Sequence, residues 1–149
     1  MQLKFLLIAT ALCFFSTSAL AQLEPWTDYE VSDELWNITT VKVDPNMGDD
    51  YLEGLRETWV ASNRIAKDLG QIDDFFIYRS VLSESGHANL FLVVRFANSD
   101  QLDPNKEAYD KFMKAWGEAN QEKSREITKN YPAMRSITGE YLVRRIDIK

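Results

Sequence analysis

The sequence predicts an α+β fold in which a strand, a long helix and a second strand occur twice in succession. Three observations support this: short runs of β-branched and aromatic residues, two longer segments with helical apolar spacing, and turn residues between them. The predicted elements are strand 36–43, helix 50–69, strand 75–82, strand 90–96, helix 104–129 and strand 141–148. Their order, β-α-β-β-α-β, is that of a ferredoxin-like sandwich, in which two helices cover one face of a four-stranded antiparallel sheet.

The first strand is rich in β-branched residues and ends before Pro45, which cannot continue a sheet ladder. Asp49 and Asp50 then fall in the first turn of helix one, where the helix dipole favours negative charge. Apolar residues follow with helical spacing: Leu52, Leu55, Trp59, Ala66 and Leu69. Gly70 is well suited to end this helix, because glycine readily adopts the left-handed conformation of a C-terminal cap.

The second half repeats the arrangement after a polar hairpin loop at 83–89. Strand three is apolar from Leu90 to Val94. Asp103 followed by Pro104 predicts the start of helix two, with Asp103 as the cap and Pro104 in the first turn. Gly117 is expected to weaken the middle of this helix.

The N-terminal segment is typical of a cleaved secretory signal peptide. Lys4 supplies the positive charge, an apolar core too short to span a membrane follows, and Ala19-Leu20-Ala21 forms the cleavage site. We therefore predict three parts: signal peptide 1–21, N-terminal arm 22–34 and folded domain 35–149. The expected location is the periplasm or the extracellular medium, with no membrane association after cleavage.

The charge and the scarcity of metal-binding residues exclude several functions. The formal net charge is −6, which argues against nucleic acid and anionic membranes as partners. The single cysteine, Cys13, lies in the predicted signal peptide, and the single histidine, His87, lies in the hairpin loop. We therefore expect no disulfide, no metal site and no cofactor.

The strands are too apolar for a sheet that is covered on one side only. Consecutive strand residues point to opposite faces, so the run Leu90–Val94 makes both faces apolar. The first prediction is a homodimer in which two sheets pack face to face. The alternative is a monomer in which Leu23 and Trp26 of the N-terminal arm cover the second face.

The element order, the apolar strands and the pattern Val41-x-Val43-x-Pro45-x-x-Gly48 resemble the dimeric α/β-barrel superfamily. This superfamily includes antibiotic-biosynthesis monooxygenases and NIPSNAP-like small domains of unknown function. The resemblance covers 36–148 and implies a dimer with a ligand site between the helices and the sheet. Haem-binding relatives place a histidine on the second helix, and the loop position of His87 departs from that pattern.

The two predicted helices share a local motif. Leu55-x-x-x-Trp59-x-x-x-Asn63 matches Phe112-x-x-x-Trp116-x-x-x-Asn120, and the spacing puts each set on one helical face. The motif could reflect core packing, or it could aim Trp and Asn side chains at a pocket. The predicted ligand-binding candidates are Asn37, Trp59, Asn63, Tyr78, Arg95, Trp116 and Asn120.

Two functional hypotheses remain open from the sequence. The first is a secreted, dimeric binding domain for a small apolar or aromatic ligand. The second is a cofactor-independent monooxygenase or isomerase that acts on an aromatic or polyketide-like compound. The first is preferred because the sequence offers no acid–base pair with a mechanism, so no catalytic residue is assigned and enzymatic activity stays undecided.

Overall fold

A computed structural model describes residues 22–82 and 86–149; the predicted signal peptide lies outside these residues. The strands are β1 Tyr29–Val31, β2 Leu35–Val43, β3 Asp74–Arg79, β4 Leu90–Phe96, β5 Arg135–Val143 and β6 Ile146–Ile148. The helices are α1 Gly48–Leu55, α2 Ala61–Asp68 and α3 Lys106–Thr128. A π-helical turn, Arg56–Val60, joins α1 to α2, and short 3-10 turns occupy Ser99–Leu102 and Tyr131–Ala133. Within the described residues, no helix has the length and apolar character needed to cross a membrane.

The main sheet confirms the predicted ferredoxin-like α+β fold. Its four strands run in the order β3-β4-β2-β5, and every neighbouring pair is antiparallel. The helices lie on one face, where the Trp59 ring meets the Phe75 ring edge-on with centroids 5.6 Å apart. Gly70 has a positive φ of 69° and ends α2, as predicted.

The core lies between this face of the sheet and the helices. Its sheet side is made by alternate residues of β2 and β4, and its helical side by residues of α1 and the turn after α3. The buried cluster consists of Val41, Val43, Tyr51, Leu55, Leu90, Leu92 and Tyr131. Because the same alternation leaves the other residues of β2 and β4 on the opposite side, both faces of the sheet carry apolar side chains.

Several predicted element boundaries are wrong. The second predicted strand, 75–82, is β3 Asp74–Arg79 and ends three residues earlier. The last main-sheet strand begins at Arg135 rather than Tyr141, and residues 146–148 form the separate strand β6. Helix α3 begins after Asn105, whose side-chain oxygen accepts a hydrogen bond from the Ala108 backbone N–H at 3.0 Å. The cap is therefore Asn105, and Asp103 and Pro104 precede the helix.

The N-terminal arm forms a small two-stranded ribbon with the C-terminus. Strand β1 pairs antiparallel with β6. Arg144 fixes the base of this ribbon by donating hydrogen bonds to the Ser32 and Asp33 carbonyls, at 3.0 and 2.9 Å. Trp26 remains 78% exposed and Leu23 54% exposed. Within the described chain, these two residues therefore do not cover the second face of the sheet.

The second face of the sheet, here called the outer face, is largely aromatic. Its apolar residues are Trp36, Ile38, Phe76, Tyr78, Phe91, Val93, Tyr141 and Val143. The Trp36 and Phe76 rings stack with centroids 6.1 Å apart, and Tyr78 lies beside Phe76 at 6.0 Å. Val93 is buried next to these rings, whereas the Tyr78 side chain is half-exposed. An apolar area of this kind on a single chain commonly marks an interaction surface.

Candidate functional site

A cavity of about 420 Å³ lies between the helices and the β5 side of the sheet. Its walls combine apolar and aromatic side chains with several hydroxyl groups and two charged groups. The lining residues are Thr39, Val41, Tyr51, Leu55, Thr58, Trp59, Ser62, Leu92, Ser124, Thr128, Tyr131, Pro132, Arg135, Ile137 and Glu140. Small-molecule sites typically have this size and this mixture of apolar walls with a few polar groups.

The π-helical turn positions two of the lining residues. Thr58 and Trp59 both lie within this turn, and both border the cavity. A π-helical turn interrupts the ordinary α-helical hydrogen bonding, and such interruptions are frequent at functional sites. Gly54, one turn earlier, brings the helix close to Tyr131: a Cβ atom at position 54 would lie 2.9 Å from the Tyr131 ring. The position of the Tyr131 ring in the cavity wall therefore depends on a glycine at position 54.

Two hydrogen bonds connect Gly54, Thr58 and Tyr131 beside the cavity. The Thr58 hydroxyl donates to the Gly54 carbonyl at 2.9 Å, and its oxygen lies 2.7 Å from the Tyr131 hydroxyl. Because the single Thr58 proton is used on Gly54, the Tyr131 hydroxyl is the donor in the second bond. The Tyr131 oxygen therefore keeps its acceptor capacity for another partner.

Arg135 is the positively charged group of the cavity. Its guanidinium carbon lies 5.9 Å from the Tyr51 ring centroid and 5.5 Å from that of Tyr131, which places it against both rings. The buried Nε atom of Arg135 has no hydrogen-bond partner within the described chain. Nor does Arg135 occur among the ion pairs of residues 22–82 and 86–149. The cavity thus contains a cation that lacks a protein counter-charge.

The two tyrosines beside Arg135 remain protonated at neutral pH. Burial raises the pKa of Tyr51 above its usual value, although the neighbouring Arg135 opposes the change. Burial likewise raises the pKa of Tyr131 above its usual value. Since the ordinary tyrosine pKa is already about 10, both phenols are neutral near pH 7 and can donate hydrogen bonds.

The two tryptophans of the repeated helix motif have different surroundings in the structure. Trp59 lines the cavity, whereas Trp116 is buried against Phe112, with ring centroids 6.2 Å apart. Asn63 donates its amide to the Trp59 carbonyl at 2.7 Å, and Asn120 does the same to the Trp116 carbonyl at 2.6 Å. Both pairs therefore make the same local contact, and of these four residues only Trp59 borders the cavity.

Helix irregularities account for this shared contact. Trp59 lies in the π-helical turn, and Trp116 precedes Gly117, whose φ of 73° and ψ of 163° interrupt α3. Helix irregularities commonly leave carbonyl groups in need of other donors. The Trp59 carbonyl accepts from both the Asn63 amide and the Ser62 hydroxyl, and the Trp116 carbonyl accepts from the Asn120 amide. The repeated motif therefore makes the same side-chain contact next to an irregularity in each helix.

The remaining sequence-predicted candidates lie away from the cavity. Tyr78 and Arg95 are on the outer face, where Arg95 lies 5.8 Å from the Trp36 ring centroid and forms an ion pair with Asp73. Asn37 faces the helices but lies outside the residues that line the cavity. The structure therefore brings one of the seven candidates, Trp59, into the cavity, and the ligand-binding role of all seven stays a prediction.

Sequence reasoning missed the polar centre of the cavity. Tyr51, Leu55 and Thr58 share a helical face by their spacing, so periodicity alone could have grouped them. Arg135 and Glu140 carried no comparable signal, because they lie in a segment that sequence reasoning left outside the strands. Their place in the cavity depends on the long-range pairing of β5 with β2.

We expect Tyr131→Phe to lower the free energy of unfolding by about 1 kcal/mol, because it removes one buried hydrogen bond while Thr58 keeps its bond to Gly54. Urea denaturation at one fixed protein concentration measures this change. Tyr109→Phe is the matched control, since Tyr109 is 60% exposed on α3. Equal stability of the two variants would show that the Thr58–Tyr131 bond makes no net contribution.

Other depressions in the described surface differ in character. One of about 430 Å³ lies at the start of α1 and is bordered mostly by polar and charged residues, including Lys42, Asp44 and Arg79. Another of about 300 Å³ separates α2 from α3 and contains Asn63 and Phe112. Neither combines buried aromatic walls with an unpaired cation, so the cavity beside Arg135 is the preferred site.

Comparison with known proteins gives two structural similarities. HapK from Hahella chejuensis has a TM-score of 0.45 and 13% sequence identity, covering 74% of this chain and 91% of its own. A dimeric ferredoxin-like protein of unknown function from Thermobifida fusca has a TM-score of 0.38 and 7% identity, covering 76% of this chain and 91% of its own. No protein-family model and no curated protein matches the chain.

Proposed function

We propose that this protein is a secreted, homodimeric binding protein for a small ligand with a flat apolar or aromatic body. The ligand would occupy the cavity between the helices and the sheet, and the outer faces of two sheets would form the dimer interface. The proposed location is the periplasm or the extracellular medium, because the N-terminal segment has the pattern of a secretory signal peptide.

The observation that carries this proposal is the composition of the cavity wall. Trp59, Leu55, Leu92 and Val41 supply apolar surface, and a volume of about 420 Å³ is sufficient for a ligand of two or three fused or linked rings. At one end of this surface, the neutral Tyr51 hydroxyl can donate or accept a hydrogen bond, and the Tyr131 oxygen can accept one. An aromatic body would therefore be held by packing, and its polar substituents by hydrogen bonds.

The dimer is supported by the outer face and by the exposed arm. Trp36, Phe76 and Tyr78 form a contiguous aromatic surface on the side of the sheet without helices. Because Leu23 and Trp26 are exposed, the arm leaves this surface uncovered within one chain. A second copy is the partner that would cover it with an identical sheet, in a self-complementary two-fold contact.

The alternative is a cofactor-independent monooxygenase or isomerase that uses the same cavity. Glu140 and Arg135 favour this candidate, since a carboxylate could accept a proton while a guanidinium stabilises the resulting oxyanion. Binding is preferred because Arg135 and Glu140 occupy different positions along β5, opposite Val43 and Thr39 of β2. These positions are four residues apart on β2, or roughly 13 Å along an extended strand.

The neutral fluorescent probe phenylnaphthylamine tests the cavity. We expect it to bind the protein lacking its signal peptide with a Kd below about 1 mM, and Trp59→Ala to weaken binding about tenfold by removing one aromatic wall. Trp26→Ala is the matched control, because Trp26 is 78% exposed and lies in the arm. Fluorescence titration gives both affinities, and circular dichroism verifies that each variant is folded.

Two results would contradict the proposed site. Absence of binding up to about 1 mM would reject the cavity as a general aromatic site. Equal weakening by Trp59→Ala and Trp26→Ala would place the probe elsewhere on the protein. A folded Trp59→Leu variant separates loss of the ring from collapse of the cavity, because leucine retains much of the apolar volume.

A further inference from the structure

We propose that the ligand is an organic acid and that Arg135 recognises its anionic oxygen atoms. This inference rests on the proposed function, because it specifies the class of ligand that the cavity takes. It assigns a ligand-binding role to a residue of β5 that lies outside the seven candidates identified from the sequence.

The first argument is the unpaired state of the guanidinium. A buried polar atom without a hydrogen bond is costly, and a buried cation without a counter-charge is more so. The Nε atom of Arg135 is buried and unpartnered, and none of the ion pairs of the described chain includes Arg135. Because the buried Nε is enclosed by protein atoms while Arg135 as a whole is partly exposed, a carboxylate or sulfonate in the cavity would bind the terminal nitrogens and supply the opposite charge.

Arg95 shows the contrasting case in the same sheet. Its Nε is also buried without a hydrogen bond, but its terminal nitrogen forms an ion pair with Asp73. Arg95 also lies near an aromatic ring, that of Trp36. The two arginines therefore share the aromatic contact and differ in the protein carboxylate, which Arg95 has and Arg135 lacks.

The second argument is the rigidity of the arginine's surroundings. The Tyr51 and Tyr131 rings meet edge-on with centroids 5.0 Å apart, and the guanidinium contacts both. Tyr131 is further held by its bond to Thr58. Contact with aromatic faces orients a guanidinium. One side of the guanidinium interacts with the Tyr51 hydroxyl, and its remaining N–H donors could bind a planar anion.

The third argument concerns the carboxylate in the cavity wall. Glu140 pairs with Thr39 of β2, whereas Arg135 pairs with Val43. Their separation of roughly 13 Å along the strand is too large for a direct ion pair. The cavity therefore has a positive end at Arg135 and a negative end at Glu140, and this polarity orients an organic acid with its anion toward Arg135.

Two probes that share one aromatic body test the inference. Phenylnaphthylamine is neutral, and anilinonaphthalene sulfonate adds a single anionic group to the same rings. We expect the sulfonate to bind about tenfold more tightly than the neutral probe, and Arg135→Gln to reduce this ratio to about one. Arg135→Lys should retain part of the preference, because it keeps the charge but loses the paired donors.

Arg64→Gln is the matched control, since Arg64 is an exposed arginine on α2 and should leave the probe ratio unchanged. A ratio near one in the native protein, or a ratio that survives Arg135→Gln in a folded variant, would overturn the inference and leave the aromatic site intact. If neither probe binds the native protein, the proposed function is rejected, and the assignment of Arg135 is rejected with it.

Discussion

Tyr78→Asp should convert the protein lacking its signal peptide from a dimer into a monomer. Tyr78 lies on the outer face and is 51% exposed in the single chain, so an aspartate there is readily solvated in a monomer. In a face-to-face dimer the same carboxylate would be buried without a counter-charge, and two-fold symmetry would place it in the interface twice. Each unpaired charge costs about 3 kcal/mol or more, which weakens association by at least roughly a hundredfold.

Tyr109→Asp provides a closely matched control for this substitution. Tyr109 is 60% exposed and lies on α3, on the opposite side of the sheet from Tyr78. Light scattering over a range of protein concentrations measures the mass of both variants and of the native protein. A native protein that is monomeric at micromolar concentration would contradict the proposed dimer. Equal dissociation of the two variants would contradict its location on the outer face.

The topology could be predicted because the apolar periodicity is strong in the elements that define it. Strand β4 has side chains suited to burial on both faces, and helix α3 has long helical periodicity, so the type of each element was clear. The order of the elements then permits few sheet topologies. The observed order β3-β4-β2-β5 is the one expected for two interleaved strand-helix-strand units.

The first part of β5 could not be predicted in the same way. The segment from Arg135 to Glu140 contains one large apolar residue, Ile137, and therefore lacks the alternation of a half-buried strand. Its pairing with β2 shifts register between Thr40 and Val41, which leaves Thr138 as an extra residue in the ladder. Such a bulge arises from the long-range pairing of two strands, and local sequence patterns do not encode it.

The cavity is formed by features that sequence patterns reveal only weakly, namely a π-helical turn and an unpaired arginine. A π-helical turn and an ordinary α-helix have nearly the same apolar spacing, so the segment 56–60 appears as regular helix. Trp59 was identified because a tryptophan on a helix face is conspicuous. Arg135 was missed because its significance comes from the absence of a partner, which only the three-dimensional arrangement reveals.

Gly54→Val should lower the free energy of unfolding and displace the Tyr131 ring that lines the cavity. A Cβ atom at this position would lie 2.9 Å from the Tyr131 ring, 3.1 Å from its hydroxyl and 3.3 Å from a methyl group of Ile127. The ring cannot move freely, because it packs on Tyr51 and bonds to Thr58. Overpacking of this kind costs about 1–3 kcal/mol, and the small gain in helix propensity over glycine does not compensate for it.

Gly48→Val separates this steric effect from the general effect of replacing a helical glycine. A Cβ atom at position 48 would lie 3.7 Å from the exposed Arg79 side chain, which is an ordinary contact. Urea denaturation at equal protein concentration should therefore show a loss of stability for Gly54→Val but little change for Gly48→Val. Because displacement of Tyr131 also moves one of the two rings that contact Arg135, Gly54→Val should reduce the preference for anilinonaphthalene sulfonate over phenylnaphthylamine. Retention of both stability and probe preference would show that the Tyr131 ring relaxes without altering Arg135, and the close approach at Gly54 would then have no part in forming the site.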